Sequence, residues 1–322
     1  MTQTAFIFPG QGSQFIGMGH ELYEGFSEAR QVFDRANEIL GFSLSEIMFG
    51  AGGQTYEEIE ILKKTEFTQP ALFTHSAAAM RILESADHQP DMTAGHSLGE
   101  YSALVAAGAI EFEDGLRIVR ERGLLMSQAG NEAKGTMAAV LGLDDSVIDS
   151  VCSQATTENQ VVVAANYNSV GQVVISGDVE AVERATALAK EAGARKAVVL
   201  PVSGAFHSPL MEHAREGLEA ALMKLAIRPP NCPVYLNVTA KPATEPEEIR
   251  IRLIEQLTAP VRWSQTLTSM QEAGADRFLE VGSGKVLTGL VRRTLGRETE
   301  TAHAGTHVDM QKLLEAASIS ES

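Results

Sequence analysis

Five consecutive residues, Gly95-His96-Ser97-Leu98-Gly99, have the types and spacing of a serine nucleophile held at a tight turn. The apolar stretch before them, 92–95, predicts a strand, and the amphipathic stretch 98–107 predicts a helix. Such a turn lifts the serine hydroxyl clear of the backbone, and only small residues fit beside it. The N–H groups that begin the helix could stabilise an oxyanion. The pentapeptide alone also fits an ordinary helix start with two incidental glycines, so other parts of the sequence must decide.

A serine nucleophile needs a base, and His207 is the best candidate among the eight histidines. It follows a predicted strand end with three small residues at 203–205, and it precedes a helix that Ser208 can cap. A hydrogen-bonded structural histidine is the alternative. His96, next to Ser97, is expected to point away across the turn. No acid between Ser97 and His207 lies at an obvious strand end, which favours a Ser–His dyad oriented by a backbone carbonyl.

Composition limits the function classes. The 322 residues carry a formal net charge of −16, so a nucleic-acid partner is not expected. No apolar run is long enough to span a bilayer, and we expect no targeting segment and no membrane contact. Cys152 and Cys232 are interpreted as buried free thiols, which together with the rest predicts a cytoplasmic protein.

The order of predicted elements changes near residue 135. From there to residue 202 the pattern is β-α-β-β-α-β, the ferredoxin-like order, and we interpret 129–202 as an inserted subdomain. Elsewhere, Gln69-Pro70 is expected to open a helix through Ile82, with the proline in its first turn. Residues 50–56 are expected to form an exposed loop, 57–64 to be charged and solvated, and the tail past Arg297 to fray.

Seven motifs, taken together and in this order, are more specific than any one of them. They are Phe8-Pro-Gly-Gln-Gly-Ser-Gln14, Gly95-His-Ser-Leu-Gly-Glu-Tyr101, Arg122-Gly123, Asn166-Tyr-Asn-Ser169 with Gly171-Gln-Val-Val-Ile175, Ala205-Phe-His-Ser208, Pro260-Val-Arg-Trp263 and Glu280-Val-Gly-Ser-Gly-Lys-Val-Leu-Thr-Gly289. From about Thr4 to Arg293 the chain resembles the malonyl-CoA:acyl carrier protein transacylases, the acyltransferases of fatty acid and polyketide synthesis.

The resemblance implies a fold and a reaction. The fold would be an α/β-hydrolase-like body with a mainly parallel sheet, 1–128 and 203–322, and the active site would lie in the cleft against the ferredoxin-like insert. Ser97 would carry the acyl group as an ester. His207 would take its proton and then activate the pantetheine thiol. The backbone N–H groups of Gln11 and Leu98 would form the oxyanion hole, although the glycine-rich segment around Gln11 also fits a plain turn.

Three further residues would set selectivity and orientation. Arg122 would bind the malonyl carboxylate through a bidentate, charge-assisted pair; its alternative is an ordinary helix cation. The bulk of Phe206 would disfavour an α-methyl branch. The carbonyl oxygen of Gln256 would orient His207.

The predicted activity is therefore ping-pong malonyl transfer from malonyl-CoA to acyl carrier protein, without a metal or redox cofactor. Two other classes remain open: a serine esterase or thioesterase of the same fold, and a non-catalytic scaffold. Because carrier proteins of this kind are acidic, we expect a basic rim, for which Arg262, Lys285, Arg292 and Arg293 are candidates; scattered surface charge is the alternative.

Overall fold

The computed structural model describes residues 3–50, 56–202 and 204–320. Its strands over these ranges are β1 (Gln3–Phe8), β2 (Met92–Gly95), β3 (Gly135–Leu141), β4 (Val162–Ser169), β5 (Gln172–Asp178), β6 (Lys196–Val199), β7 (Val234–Tyr235), β8 (Pro242–Ala243), β9 (Ala275–Val281) and β10 (Glu300–Ala304).

Helices connect and cover these strands. In chain order they are α1 (His20–Gly25), α2 (Ser27–Leu40), α3 (Leu44–Phe49), α4 (Tyr56–Lys63), α5 (Thr65–Ser85), α6 (Gly99–Ala106), α7 (Phe112–Glu132), α8 (Asp145–Ala155), α9 (Val179–Glu191), α10 (Glu212–Leu222), α11 (Pro246–Glu255), α12 (Trp263–Glu272), α13 (Val286–Thr294) and α14 (His307–Ser320). None of the described helices has both the length and the apolar character needed to cross a membrane.

The larger sheet has the strand order β10-β9-β1-β2-β7-β8. Its strands pair in parallel except β8, which is antiparallel to β7 at one edge. The central strands β1 and β2 are apolar and almost entirely buried, as parallel strands covered by helices on both faces require. Their carboxyl ends, Phe8 and Gly95, are paired with each other, so the segments that follow them start side by side.

The smaller sheet has the order β4-β5-β3-β6 and is antiparallel throughout. With α8 and α9 on one face it has the predicted ferredoxin-like arrangement, so the mixed α/β fold class with two sheets is confirmed. The exact limits of an inserted domain at 129–202 remain a prediction.

The smaller sheet is also joined to the larger body. Val261, in the turn before α12, donates its N–H to the carbonyl of Ala165 at 2.8 Å and accepts from the N–H of Tyr167 at 2.9 Å. The structure shows that β4 also holds a loop of the large body beside the cleft.

The prediction that Pro70 lies in the first turn of its helix is wrong. The helix α5 starts at Thr65, which places Pro70 inside it. A proline at this position leaves the carbonyl of Glu66 without its helical donor. The guanidinium of Arg120, on the neighbouring helix α7, donates to that carbonyl instead. A tertiary contact therefore replaces the lost backbone bond, and the helix continues through the proline.

The prediction of a frayed tail past Arg297 is also wrong. Residues Glu300–Ala304 form β10, which pairs in parallel with β9, and Met310 and Leu313 of α14 are buried in the main core. The edge strand β10 consists of polar residues and alanines, so it lacks the large apolar residues by which a strand is predicted from sequence.

Two smaller expectations have different outcomes. The segment 57–64 is largely helical rather than a plain solvated stretch, and of the loop expected at 50–56, residues 51–55 lie outside the described residues. Cys152 and Cys232 are both free thiols; Cys152 is buried as expected, but Cys232 is only half-buried.

Candidate active site

Ser97 lies at a strained turn between β2 and α6. Its φ is 52°, in the left-handed region that non-glycine residues seldom adopt. A Cβ on Gly95 would lie 1.8 Å from the backbone carbon of Gly99, and a Cβ on Gly99 would lie 2.1 Å from the carbonyl oxygen of Phe8. Both glycines are therefore required by close backbone packing, and the sharp turn predicted for this pentapeptide is present.

The side chain of Asn237 makes two hydrogen bonds to the backbone of this turn. Its side-chain oxygen accepts the N–H of Ser97 at 2.7 Å, and its side-chain nitrogen donates to the carbonyl of Gly95 at 2.6 Å. Asn237 is fully buried in the segment that follows β7. Such paired hydrogen bonds can maintain a strained backbone conformation, because the surrounding structure over-determines it.

His207 contacts Ser97 across the cleft. Its Nε2 lies 2.8 Å from Ser97 Oγ, and its Nδ1 lies 2.8 Å from the carbonyl oxygen of Gln256. Because a carbonyl can only accept, Nδ1 carries the proton and Nε2 is free to accept the serine proton. His207 also has a positive φ, 59°, and is 3% exposed. Of the small residues expected beside it, Ser203 lies outside the described residues.

The electrostatic surroundings keep His207 neutral. Burial, reinforced by the positive charge of Arg122, lowers the pKa of His207 to about 3. A neutral imidazole at physiological pH is the form that can accept a proton. The geometry and the charge state therefore agree with the use of His207 as a base.

Arg122 projects from α7 to the same serine. Its guanidinium donates to Ser97 Oγ at 3.1 Å, to the side-chain oxygen of Gln69 at 2.9 Å and to that of Gln256 at 2.9 Å. The side chain is 1% exposed, yet no carboxylate of the described residues lies within ion-pair distance. Burial lowers the pKa of Arg122, although a guanidinium stays charged in proteins. It is a buried cation whose neighbours within hydrogen-bond distance are all neutral.

The three side chains line a cavity of about 180 Å³ between the two sheets. The large body contributes Gln11, Leu98 and Phe206 to its wall, and the smaller sheet and its flanks contribute Met137, Asn166, Asn168, Val174, Leu200 and Val202. Residues from both parts of the chain therefore shape the site, and Phe206, 6% exposed, forms part of its apolar wall.

The backbone at Gln11 and Leu98 fits a pair of oxyanion donors. A Cβ on Gly10 would lie 2.3 Å from the carbonyl oxygen of His96, so the loop after β1 lies directly against the turn formed by residues 95–99, the elbow. Within the described ranges, neither the Gln11 nor the Leu98 N–H donates a hydrogen bond. Both residues line the same cavity, which is where an oxyanion hole would need its two N–H donors.

Sequence reasoning missed several residues that the site brings together. His96 does not turn wholly away: it lines the cavity, and its Nε2 lies 2.7 Å from the Asn168 side-chain oxygen. Glu100, Gln69 and Asn237 are buried polar residues around the elbow. Glu100 lies three residues after Ser97 on the helix that follows the turn, and this spacing is the one signal that could have found it.

Three of the four basic residues expected at a rim contact other side chains of the described chain. Arg293 donates to the side chain of Gln172, and the guanidinium of Arg262 lies 5.8 Å from the ring centre of Tyr167. Lys285 lies 4.0 Å from a carboxylate oxygen of Asp309.

The larger body is mainly parallel α/β and carries Ser97 at a nucleophile elbow, in contact with His207. The second, antiparallel sheet lies over the cleft. Together these features define a serine-dependent enzyme of acyl chemistry. Residues 5–317 match the family model described as acyl transferase domain, and the chain belongs to this family.

Individual relatives agree over nearly the full length. The malonyl CoA-acyl carrier protein transacylase of Bacillus subtilis (strain 168) is 46% identical over 293 residues, which are 91% of this chain and 90% of that protein. The acyl carrier protein S-malonyltransferase of Vibrio cholerae superposes with a TM-score of 0.91 at 40% identity, covering 97% of this chain and 100% of the other. A malonyl-transacylase solved in complex with its type II PKS acyl-carrier protein superposes with a TM-score of 0.92 at 40% identity, covering 98% and 100%.

Proposed function

We propose that this protein transfers a malonyl group from malonyl-CoA to the phosphopantetheine thiol of acyl carrier protein. The observation that carries the proposal is the convergence of two side chains on one serine oxygen: His207 Nε2 lies 2.8 Å and Arg122 Nη2 lies 3.1 Å from Ser97 Oγ. The names of the relatives, malonyl CoA-acyl carrier protein transacylase, support the same substrate and acceptor.

In the first half-reaction, Ser97 Oγ attacks the thioester carbonyl carbon of malonyl-CoA while His207 Nε2 takes the hydroxyl proton. The backbone N–H groups of Gln11 and Leu98 stabilise the oxyanion of the tetrahedral intermediate. The C–S bond then breaks, and His207 returns its proton to the CoA sulfur. The product is malonyl-Ser97 and free CoA.

The second half-reaction repeats these steps with a new thiol. His207 takes the proton of the pantetheine thiol, and the sulfur attacks the malonyl ester carbonyl. Collapse of the second intermediate breaks the bond to Ser97 Oγ, which regains its proton from His207. The carbonyl of Gln256 holds the imidazole in one tautomer in both halves. Every bond and proton is accounted for by these groups and the two thiols, so we predict no further cofactor or metal.

Arg122 selects the acyl group in this scheme. A guanidinium matches a carboxylate geometrically and offers two parallel donors. Phe206 forms part of the wall and would oppose an added methyl branch. Cytoplasmic localisation remains our prediction for the compartment.

Mass spectrometry of the intact protein tests this proposal directly. After mixing with malonyl-CoA, the wild-type protein should gain the mass of one malonyl group, and Ser97→Ala should gain nothing. Addition of holo acyl carrier protein should then transfer the group to the carrier. A thioesterase would instead release malonate without a carrier protein, and that result would overturn the assignment as a transferase.

A further inference from the structure

Glu100 is a buried carboxylate in the first turn of the helix that follows the elbow. It lies on α6, is 0% exposed, and accepts the N–H of Asn237 at 3.1 Å and the side-chain N–H of Gln256 at 2.8 Å through its Oε2. Its other oxygen, Oε1, has no hydrogen-bond partner within the described part of the chain. Both donors are neutral. Burying a carboxylate with only neutral donors costs free energy, so the presence of Glu100 at this position calls for a reason other than packing.

The residue that Glu100 contacts, Gln256, reaches all three groups of the proposed reaction. Its side-chain oxygen accepts from Arg122 at 2.9 Å, and its side-chain nitrogen donates to the carbonyl of Ser97 at 3.0 Å. Its own backbone carbonyl faces His207 Nδ1 at 2.8 Å. The orientation of this one side-chain amide therefore affects how Arg122 is held.

The chemistry of its neighbours allows Gln256 only one orientation. Arg122 can only donate, and an ionised Glu100 can only accept. The amide oxygen must then face Arg122 and the amide nitrogen must face Glu100. A glutamine at position 100 would replace this charged acceptor with a neutral one, so the Gln256 amide would be held less firmly in the orientation that faces Arg122.

Glu100 also supplies charge without occupying the guanidinium. The negative charge of Glu100 and the positive charge of the Arg122 guanidinium attract each other, but the Gln256 amide lies between them. A direct ion pair would fill the donors that an incoming carboxylate needs. One amide between the two charges provides compensation and leaves Arg122 available for a ligand.

From this arrangement, which rests on the proposed function, we infer that Glu100 is a positioning residue for malonyl selectivity: its carboxylate orients the Gln256 amide, which holds the Arg122 guanidinium where it can receive the substrate carboxylate. Glu100 itself does not touch the cavity. Its effect should therefore appear in the rate of malonyl loading relative to acetyl loading, because an acetyl group has no carboxylate for Arg122 to bind.

The test compares Glu100→Gln with the wild-type enzyme in single-turnover acylation of Ser97 by malonyl-CoA and by acetyl-CoA. We expect the malonyl-to-acetyl rate ratio to fall about tenfold or more, the usual consequence of disturbing one hydrogen bond to a charged group. Gln256→Met, which removes the amide between the two charges, should lower the ratio similarly. The double variant should lose little more than either single variant, because both act through one contact.

Glu280→Gln is the matched control. Glu280 is another carboxylate at 0% exposure, but it accepts the N–H groups of Leu287 and Thr288 at the start of α13, away from the cavity. Its substitution should lower the unfolding temperature and leave the malonyl-to-acetyl ratio unchanged.

The pH dependence gives a second readout. Burial raises the pKa of Glu100 to about 7, against a smaller opposing effect of its hydrogen bonds and of Arg122. Within the described ranges, the ionisable groups that interact with it are Arg122, which stays charged, and Tyr101, whose pKa burial raises well above its usual range. In the wild type the ratio should fall as the pH drops from 8 to 6 and Glu100 gains its proton; in Glu100→Gln it should stay low at both values.

The outcomes are distinguishable. If the wild type takes up no malonyl group at all, the proposed function fails. If the wild type is loaded and the folded Glu100→Gln and Gln256→Met proteins keep its ratio, the positioning role is overturned. If Glu100→Gln does not fold, the ratio of Gln256→Met and the pH dependence of the wild type decide the question.

Discussion

Arg122 donates a hydrogen bond to Ser97 Oγ at 3.1 Å, so the proposed carboxylate-binding residue touches the proposed nucleophile. A buried arginine without a carboxylate partner is uncommon, because the desolvated charge needs compensation. Glu100 compensates this charge only indirectly, through the Gln256 amide, whereas a short acyl group on Ser97 that ends in a carboxylate would be a direct partner. The closeness of the two side chains thus limits both the charge and the length of the acyl group that fits.

Arg122→Ala should abolish malonyl loading while slow acetyl loading of Ser97 remains. The lost interaction is a charge-assisted pair in a buried site, so we expect a decrease of about 100-fold or more in the malonyl rate. Single-turnover mass spectrometry with the two acyl-CoA donors measures both rates. Arg122→Lys keeps the charge but loses the planar donor pair, and it should fall between wild type and alanine. A parallel loss of acetyl loading would show that Arg122 is mainly structural.

Phe206→Ala should increase the acceptance of an α-methyl branch. The Phe206 side chain lines the cavity, and removing its ring opens space there. Because one methyl group is worth about 1–3 kcal/mol, the ratio of methylmalonyl to malonyl loading should rise by about 10- to 100-fold. Competition between the two acyl-CoA donors measures this ratio. Phe15→Ala, which changes a half-exposed phenylalanine outside the cavity wall, serves as the control and should leave the ratio unchanged.

His207 should make the folded protein sensitive to acid. An unfolded histidine binds a proton near its ordinary pKa of about 6.5, whereas burial lowers the pKa of the folded His207 to about 3. The unfolded state therefore takes up the proton first, and the folded state loses up to about 1.4 kcal/mol per pH unit as the pH falls from 6.5 toward 3.

The measurement is urea unfolding of wild type and His207→Gln at several pH values. The variant should lose less stability than the wild type between pH 6.5 and 4.5. His75, whose pKa burial lowers to about 4, is present in both proteins and cancels in the difference. Two parallel stability curves would contradict the assignment of a neutral, buried His207.

Gly95→Ala should strongly destabilise the protein. The new Cβ would lie 1.8 Å from the backbone of Gly99, and neither strand β2 nor helix α6 can move without disturbing the core. We expect a loss of more than about 4 kcal/mol, or failure to fold. The matched change Gly289→Ala lies on α13, where nothing is within 4 Å of the added carbon. It should stabilise the helix by up to about 1 kcal/mol. Equal effects of the two changes would argue against the tight packing at the elbow.

Sequence patterns predicted correctly those elements whose structure depends on residues close together in the chain. The elbow pentapeptide, the alternation of elements from residue 135 and the cap at Ser208 each depend on neighbours within a few residues, so their interpretation required no knowledge of the fold. The helix around Pro70 and the strand β10 were misjudged because their stability comes from Arg120 and from β9, which lie far away along the chain. Long-range partners of this kind leave no local pattern.

The sequence by itself determined which groups could react: a serine between small residues, one histidine in a loop suited to catalysis, and an arginine on an otherwise apolar helix face. Only the tertiary structure decided that these groups meet. The contacts from Ser97 to His207, Arg122, Asn237 and Gln256 span 110, 25, 140 and 159 positions of the chain. Burial, which sets the charge states of His207 and Glu100, is likewise a property of the packed molecule, because desolvation depends on every element around a side chain.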